Sequence, residues 1–409
     1  MKILVQKFGG TSLATPELRE RVIHHIQTAL DDGYHLVVVV SAMGRKGSPY
    51  ATDTLLEWVK SNGNALLPRE LDLLLHCGEI ISASILASLL RSKGIDSCVL
   101  TGGQAGIITN NDHTNAQIIT VNPVRVRQEL EKGRPVIVAG FQGRTTEGEI
   151  TTLGRGGSDT TATALGVALG AEMVDIFTDV NGIMTADPRI VEEAVPLSTV
   201  TYTEMCNLAF QGAKVIHPRA VEIAMQTNVP IRVRSTHSDS PGTLVTHQRE
   251  VNRLAGEVND RLITGITQVP GVTQIKVRAG EGQYDLQLRV FKAMAENGIS
   301  IDFINVNPSG VAYTVFDEWA DRAEAILQEL GFEAELHRNC AKVSAVGAGI
   351  AGVPGVMAKI VEALAEEDVQ ILQSADSHTT IWVLVRGEDM QKAVRSLHRK
   401  FELHKIRYQ

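Results

Sequence analysis

The first 246 residues alternate short apolar runs with longer segments in which apolar residues recur every three or four positions. The apolar runs predict strands at Ile3–Val5, Leu36–Val40, Ser97–Leu100, Val136–Ala139, Met173–Thr178 and Ile231–Ser235. The longer segments predict helices at Arg19–Leu30, near Leu71–Leu90, after Gly157 through Leu169, and around Thr203–Gln211. Strands that alternate with helices pair in parallel through crossover connections. Residues 1–246 are therefore predicted to form one large α/β domain.

The C-terminal part of the chain repeats itself at a constant shift of 70 positions. FKAMAE at 291–296 then falls on VEALAE at 361–366, and the apolar run at 311–315 falls on the run at 381–385. This predicts two copies of one β-α-β-β-α unit, at 268–338 and 339–409, after a polar connector at 247–261. The second copy ends before its last strand, which the stretch 262–267 could supply.

Composition and charge limit the classes of partner. The 409 residues are 44% apolar and only 4% aromatic, which is typical of sheets covered by helices. The net charge of −8 argues against a broad surface for nucleic acid or an acidic membrane. The N-terminal apolar stretch is four residues long, and we expect no later run as long as a membrane span, so a cytoplasmic location is expected.

The four cysteines are isolated from one another, with no C-x-x-C pair and no histidine at metal-ligand spacing. They are Cys77, Cys98, Cys206 and Cys340. We therefore expect reduced thiols and no protein-built metal site.

The segment Lys7–Ser12, with the sequence KFGGTS, lies between the first strand and the first helix. Backbone N–H groups of consecutive small residues can form a nest for an anion, and Lys7 places a cation beside it, so phosphate is the expected guest. The alternative is a plain glycine turn beside an exposed lysine, and this segment alone favours neither. The chain contains no Gly-Lys dipeptide, which excludes a P-loop and calls for a kinase of another fold.

A second glycine-rich segment, Thr152–Thr161, also precedes a helix. Here Arg155 can clamp a carboxylate through two hydrogen bonds, while Ser158 and the helix N-terminus hold anionic oxygens. Asp159 is a further candidate, although taken alone it could be only a helix cap.

These segments occur in a fixed order with four others, and together they resemble the amino-acid kinase superfamily and, within it, the aspartate kinases. The others are SAMG at Ser41–Gly44, GE at Gly78–Glu79, FTDVNGIMTADPR at Phe177–Arg189 and GAKVIHPRA at Gly212–Ala220. The resemblance covers nearly the whole chain. It implies the amino-acid kinase fold, an α/β fold with a mostly parallel sheet sandwiched by helices, followed by two ferredoxin-like ACT domains.

The resemblance also implies an activity. Aspartate kinases transfer the γ-phosphoryl group of MgATP to the side-chain carboxylate of L-aspartate, the first step toward lysine, diaminopimelate, threonine and methionine. Because that carboxylate is already ionised at neutral pH, no general base is required. The enzyme must instead neutralise charge and align two anions that repel each other.

Position by position, the resemblance assigns roles to residues of this chain. Lys7 would contact the transferred phosphoryl group and Asp159 would orient Lys7. Aspartate would be held by Thr52, Glu79, Arg155 and Ser158, with Glu79 on its ammonium group. The nucleotide would be contacted by Lys7, Phe8, Gly9, Gly10, Ser41, Thr178, Asp179, Arg189 and Lys214. The residues Arg45–Tyr50 make the spacing between Gly44 and Thr52 longer than in many family members.

Other readings remain open at this point. A sensor that kept the ACT pair but lost kinase chemistry is disfavoured by Lys7, Glu79, Arg155 and Asp159 together. Glutamate or acetylglutamate kinases would not explain the two repeats. Gly347–Gly352 satisfies the dinucleotide pattern G-x-G-x-x-G, but fewer than sixty residues follow it, too few for a second mononucleotide-binding half.

The ACT repeats imply an amino-acid effector and at least a homodimer, because a four-stranded sheet with helices on one face leaves an edge to be paired. Where many aspartate kinases have a Pro-Gly turn in the first repeat, this chain has Glu281–Asp285. With Asp302, Asn305 and Asn307 on the next strand, the first repeat resembles that of diaminopimelate-regulated aspartate kinases.

Overall fold

The computed structural model describes residues 1–247, 262–280, 285–348, 350 and 352–405. Most of the predicted connector 247–261, most of the loop Glu281–Asp285 and two positions of Gly347–Gly352 therefore lie outside the described residues. The helices are α1 (Pro16–Asp31), α2 (Thr52–Ser61), α3 (Pro68–Leu75), α4 (Cys77–Ser92), α5 (Val124–Glu131), α6 (Gly157–Leu169), α7 (Tyr202–Phe210), α8 (Pro218–Thr227), α9 (Leu286–Glu296), α10 (Asp317–Glu329), α11 (Val356–Ala365) and α12 (Met390–Lys400).

The strands within these residues form three sheets. The first contains β1 (Ile3–Phe8), β2 (His35–Val40), β3 (Cys98–Leu100), β6 (Val136–Ala139), β9 (Met173–Thr178), β10 (Thr199–Thr201), β11 (Ile231–Ser235) and β12 (Thr243–Thr246). The second contains β4 (Ile107–Thr109), β5 (Ile118–Val121), β7 (Gln142–Arg144) and β8 (Ile150–Thr152). The third contains β13 (Gly265–Arg278), β14 (Asp302–Asn307), β15 (Gly310–Phe316), β16 (Ala334–Val346), β17 (Gln373–Asp376) and β18 (Thr380–Arg386).

The first sheet has the order β10-β12-β11-β9-β1-β2-β6-β3. Neighbouring strands within this sheet pair in parallel, except that β11 and β12 pair with each other antiparallel. The carboxyl ends of β9, β1, β2 and β6 consequently lie along one edge. Ligands of open α/β sheets bind at such an edge.

Both faces of this sheet are buried, which explains why its strands read as continuous apolar runs. On β1, Leu4 and Phe8 pack with helices α1 and α4, whereas Ile3 and Val5 face helices α5, α6 and α8. Successive side chains of a strand point to opposite faces. The result is the helix–sheet–helix sandwich of the amino-acid kinase fold, as the sequence predicts.

The second sheet, of order β5-β4-β7-β8, was not predicted. Its strands have only three or four residues each and carry polar side chains such as Gln142, Thr109 and Thr151. Thr109 and Thr151 join through their hydroxyl groups at 2.6 Å inside it. The sheet matters for function because β8 leads directly into the second glycine-rich segment.

The expectation that no apolar run is as long as a membrane span is wrong for Pro68–Ser92. By length and composition these 25 residues could cross a membrane. One such stretch is weak evidence for a span, because a core helix passes the same test. Here α4, its longer part, packs against β2, β3 and β6, and its Leu86 and Leu90 lie in the core.

The third sheet unites the two repeats, with the order β14-β15-β13-β16-β18-β17. The first repeat uses β14, β15 and the adjoining halves of β13 and β16, while the second uses the remaining halves with β18 and β17. Residues 265–270 pair with 341–346 and give the second repeat its fourth strand segment. The predicted boundaries at 267/268 and 338/339 thus fall inside continuous strands, because β13 and β16 each serve both units.

The second repeat packs directly on the kinase domain. Ala186, Ile190 and Val191, which follow β9, belong to the same apolar cluster as Val394 and Leu397 of α12. Nε2 of His398 lies 2.9 Å from Oγ1 of Thr185. The segment after β9 is therefore part of the core of an ACT unit.

Candidate functional site

Lys7 and Asp159 form an ion pair at the carboxyl edge of the first sheet. Nζ of Lys7 lies 2.7 Å from Oδ1 of Asp159, and both side chains are largely buried. Oδ2 of Asp159 accepts a hydrogen bond of 3.1 Å from the N–H of His217. Asp159, near the start of α6, is therefore the ion-pair partner of the Lys7 ammonium at the end of β1.

The candidate anion nest, Gly9 and Gly10, follows Lys7 and Phe8. The chain turns at Gly9 into a short 3-10 helix, Gly10–Leu13, before α1 begins at Pro16. A Cβ at Gly10 would lie 2.3 Å from the carbonyl oxygen of Ala42, so a larger residue cannot fit there. Glycine is needed to bring this loop against the loop after β2.

Arg155 lies in an exposed turn between β8 and α6. The next residue, Gly156, has a φ of 69° and sits where a Cβ would collide with the His217 ring. Arg219 donates hydrogen bonds to the carbonyl oxygens of Leu153 and Ala116 at 3.1 and 3.2 Å. The start of α8 thereby fixes the turn that presents the Arg155 guanidinium.

Glu79 is a buried carboxylate with an unsatisfied oxygen. Its Oε1 accepts a hydrogen bond of 3.1 Å from the N–H of Ala42, and its Oε2 has no hydrogen-bond partner within the described residues. Burial raises the pKa of Glu79 to about 8, although the Ala42 bond opposes the shift. A cationic ligand group would satisfy the free oxygen and favour the charged form.

Two further substrate candidates lie beside these groups. Thr52 begins α2, directly after Ala51, and the carbonyl oxygen of Tyr50 lies against Gly78. Ser158 is buried at the start of α6, where its hydroxyl lies against Gly140 at the end of β6. Ser158 therefore lies at the carboxyl end of β6, and the residue two positions before Thr52 lies against the start of α4, which carries Glu79.

The nucleotide candidates differ in how directly they face this edge. Ser41 follows β2, and its N–H donates to the carbonyl oxygen of Phe8 at 3.1 Å. Phe8 itself is fully buried and stacks on Phe177, with ring centroids 4.6 Å apart. Any contact of Phe8 with the nucleotide must therefore go through its backbone.

Of the remaining nucleotide candidates, Thr178 ends strand β9 and is partly buried, whereas Asp179, Arg189 and Lys214 lie on exposed loops. Asp179, next to Thr178, forms an ion pair of 2.8 Å with Arg45. Arg189 forms a two-pronged pair with Asp187, which lowers the pKa of that carboxyl. Lys214 is exposed in the turn before α8.

Comparison with known proteins decides the family. Residues 2–235 match the model of the amino acid kinase family, and residues 335–399 match an ACT domain model. Aspartokinase 1 of Bacillus subtilis is 58% identical over 405 residues, which cover 99% of this chain and 100% of the relative. The chain belongs to the aspartokinase family. It is an enzyme that uses ATP to phosphorylate the side-chain carboxylate of aspartate.

Solved aspartokinase structures match along almost the full chain. The structure of aspartate kinase from Synechocystis is 27% identical with a TM-score of 0.80, and covers 100% of this chain and 99% of its own. The structure of E. coli aspartokinase III in complex with aspartate and ADP is 26% identical with a TM-score of 0.79, and covers 98% and 99%.

The effector candidates of this aspartokinase lie in the third sheet, apart from the catalytic candidates. Asp302 begins the edge strand β14 and forms an ion pair with Lys342 of β16. Asn305 and Asn307 follow on the same strand, with Nδ2 of Asn307 3.4 Å from Oδ1 of Asn305. Since Lys342 is buried in the half of β16 that belongs to the second repeat, Asp302 connects the two repeats.

Sequence reasoning missed the buried carboxylate of Asp72 on α3. Its oxygens accept hydrogen bonds from the Thr152 hydroxyl at 2.5 Å and the Thr114 N–H at 3.1 Å, and Nδ1 of His113 lies 2.8 Å away. Thr114 has a φ of 70°, a strained value for a β-branched residue. Asp72 thus anchors the end of β8, from which the Arg155 turn leaves.

The sequence carried a usable signal for two of the missed residues but none for Asp72. His217 and Arg219 lie inside GAKVIHPRA, where the Pro218 start of α8 could have marked them as loop anchors. Asp72 gave no signal, since its partners lie 41 to 80 positions away in sequence.

Proposed function

We propose that Lys7, Asp159, Glu79 and Arg155 carry the aspartate kinase reaction in this chain. The supporting observation is the free Oε2 of buried Glu79 at the same sheet edge as the Lys7–Asp159 pair. Glu79 would bind the ammonium group of aspartate, and Arg155 would bind one of its carboxylates. The two anchors have opposite charge, which suits a short dicarboxylic amino acid.

The roles of the individual groups follow from the charge that moves during transfer. The aspartate carboxylate attacks the γ-phosphorus while the bond to the β,γ-bridging oxygen breaks, and negative charge passes to the leaving ADP. Lys7, held by Asp159, stabilises the transferring group, and the N–H groups around Gly9 and Gly10 receive the phosphates. Thr52 and Ser158 complete the aspartate site.

Magnesium would enter with the nucleotide and neutralise phosphate charge. Among the described residues there is no group of three or more His, Cys, Asp or Glu placed to hold a metal ion. Such a site fits Mg²⁺ that is held mainly by phosphate oxygens and water, as is common for nucleotide enzymes. Ser41, Thr178, Asp179, Arg189 and Lys214 would contact the rest of the nucleotide.

Replacing Arg155 with lysine tests the substrate site. Lysine keeps the charge but loses the planar pair of donors, so we expect KM for aspartate to rise about 10-fold or more while KM for ATP changes little. Steady-state kinetics with both substrates measures this, with Arg91→Lys, an exposed arginine of α4, as the matched control. A change confined to the kinetics with ATP would instead assign Arg155 to the nucleotide site.

We further propose that residues 1–246 form the catalytic domain, with 247–261 as the connector and 268–338 and 339–409 as the ACT units, the second completed by 262–267. Edge strand β14 exposes Ile304 and Val306, which supports at least a homodimer formed through the ACT sheets. The acidic charge and the core position of α4 support a cytoplasmic enzyme without nucleic-acid or membrane partners.

The proposed effector is meso-diaminopimelate, bound near Asp302, Asn305 and Asn307. Its second ammonium could replace Lys342 as the partner of Asp302. Lys342 lies on the strand half whose neighbours Ala341 and Val343 share an apolar cluster with Ala186 and Val191. An effector that alters this contact could therefore act on the loop after β9, with a differential affinity of about 1–3 kcal/mol.

Effector titration tests this assignment. We expect meso-diaminopimelate to inhibit, lysine and threonine to inhibit much less, and Asp302→Ala to weaken the inhibition at least about 10-fold. Asp321→Ala, an exposed acid on α10, is the control and should respond like the unmodified enzyme. Inhibition by lysine alone, or no response to any of the three, would contradict the proposal.

A further inference from the structure

Arg45 lies in the segment Arg45–Tyr50, which lengthens the loop after β2. The loop is held in place at both ends. The N–H of Gly44 donates to the carbonyl oxygen of Gly10 at 2.8 Å, and the N–H of Gly47 donates to the Thr54 hydroxyl at 3.0 Å. A turn between Arg45 and Ser48 closes through a 2.8 Å backbone hydrogen bond.

The position of Arg45 follows from the strand order. Strand β1 lies between β9 and β2, with Phe8 level with Phe177 on one side and with Val40 on the other. Arg45 follows β2 and Asp179 follows β9, and their side chains meet at 2.8 Å. This ion pair therefore spans the end of β1, where the glycine nest begins.

The Arg45–Asp179 ion pair can be broken and replaced by another partner with little loss of folding stability. Both side chains are exposed, 72% for Arg45 and 50% for Asp179, and such pairs contribute little to folding. A nucleotide polyphosphate carries more negative charge than one carboxylate and accepts two parallel bonds from a guanidinium. Arg45 should therefore prefer a phosphate group that enters the nest.

We propose that Arg45 is a second phosphoryl-contacting cation, which Asp179 holds across the nest before ATP binds and which moves to the γ-phosphate when ATP enters. The inference rests on the nucleotide site proposed above. It gives the long loop after β2 a function at the nest. Released Asp179 is then free to contact the nucleotide.

The test compares Arg45→Ala with Lys46→Ala. Lys46 is the neighbouring cation, but it pairs with Glu57 of α2 instead of crossing the nest. We expect Arg45→Ala to lower kcat/KM for ATP about 10- to 100-fold and to weaken ATP binding more than ADP binding, since only ATP has the γ-phosphate. Arg45→Lys should recover part of the loss, and Lys46→Ala should match the unmodified enzyme.

Two outcomes would overturn the inference. Unchanged ATP kinetics in Arg45→Ala would show that Arg45 does not contact a phosphate group. Equal losses of ATP and ADP affinity would show that Arg45 only connects the two loops and does not contact the γ-phosphate. Lys7→Ala, measured in parallel, separates this failure from a failure of the proposed site. If Lys7→Ala lowers kcat as expected while Arg45→Ala leaves the ATP kinetics unchanged, the site stands and the role of Arg45 falls.

Discussion

Replacing Lys7 with alanine is expected to lower kcat by about two to four decades while nucleotide affinity changes much less. The reason is that charge builds on the transferring phosphoryl group only in the transition state, where the ammonium held by Asp159 acts most strongly. The ion pair of 2.7 Å leaves Lys7 little freedom, so its charge is already oriented before the reaction. Single-turnover kinetics together with direct ATP binding separates the two effects.

Lys2 provides a matched control for that experiment. It precedes the same strand, at the opposite edge of the sheet, and its ammonium lies 3.9 Å from the centroid of the Tyr34 ring. Lys2→Ala should leave kcat unchanged. A Lys7→Ala enzyme with normal kcat would contradict the assignment of Lys7, whatever its affinity for ATP.

The parts of the fold that the sequence predicted are those in which local pattern and burial agree. Leu36–Val40 was predicted as a strand because it is continuously apolar, and β2 is buried on both faces. A helix after Gly157 and through Leu169 was predicted, because glycines precede an Ala-, Thr- and Leu-rich run, and the observed helix α6 begins one residue earlier, at Gly157. In both cases the residues that specify the element lie within the element itself.

Other parts were missed because distant contacts specify them. The predicted helix Leu71–Leu90 is interrupted at His76, where α3 ends and α4 begins one residue later. The short strands of the second sheet have no alternation that could reveal them. The sharing of β13 and β16 by both ACT units was not predicted, because a repeat of 70 residues suggests separate sheets.

Among the catalytic candidates, too, some features could be predicted from local sequence and others depend on distant contacts. The nest at Gly9 and Gly10 was suggested by the sequence alone, because strand, glycines and helix follow each other directly. The pairing of Lys7 with Asp159 spans 152 positions, so no local spacing could predict it, and it was inferred from the family resemblance. The free oxygen of Glu79 could not be foreseen, since it depends on how the start of α4 packs against Ala42.

The second large expected effect is the pH dependence of kcat/KM for aspartate, which we attribute to Glu79. Because burial raises its pKa to about 8, the carboxyl is mostly protonated at neutral pH when no ligand is bound. An aspartate ammonium requires the ionised form, so the proton must leave when aspartate binds. As pH falls below about 8, kcat/KM for aspartate should therefore decrease, approaching tenfold per pH unit.

Replacing Glu79 with glutamine removes both the charge and the titration. We expect kcat/KM for aspartate to fall by about 30- to 1000-fold, equivalent to about 2–4 kcal/mol, because the substrate ammonium loses its buried charged partner. We also expect the decrease between pH 8 and pH 6 to disappear, since glutamine has no proton to release. Profiles of kcat/KM against pH for both enzymes measure this.

The control is Glu57→Gln, an exposed glutamate of α2 that pairs with Lys46. It should keep the unmodified rate and the unmodified pH profile, because its carboxylate faces solvent. If Glu79→Gln loses activity but keeps the same slope below pH 8, another group controls the pH dependence. Glu79 would then help to shape the site without being the partner of the ammonium, since an ammonium partner must release its proton before aspartate can bind.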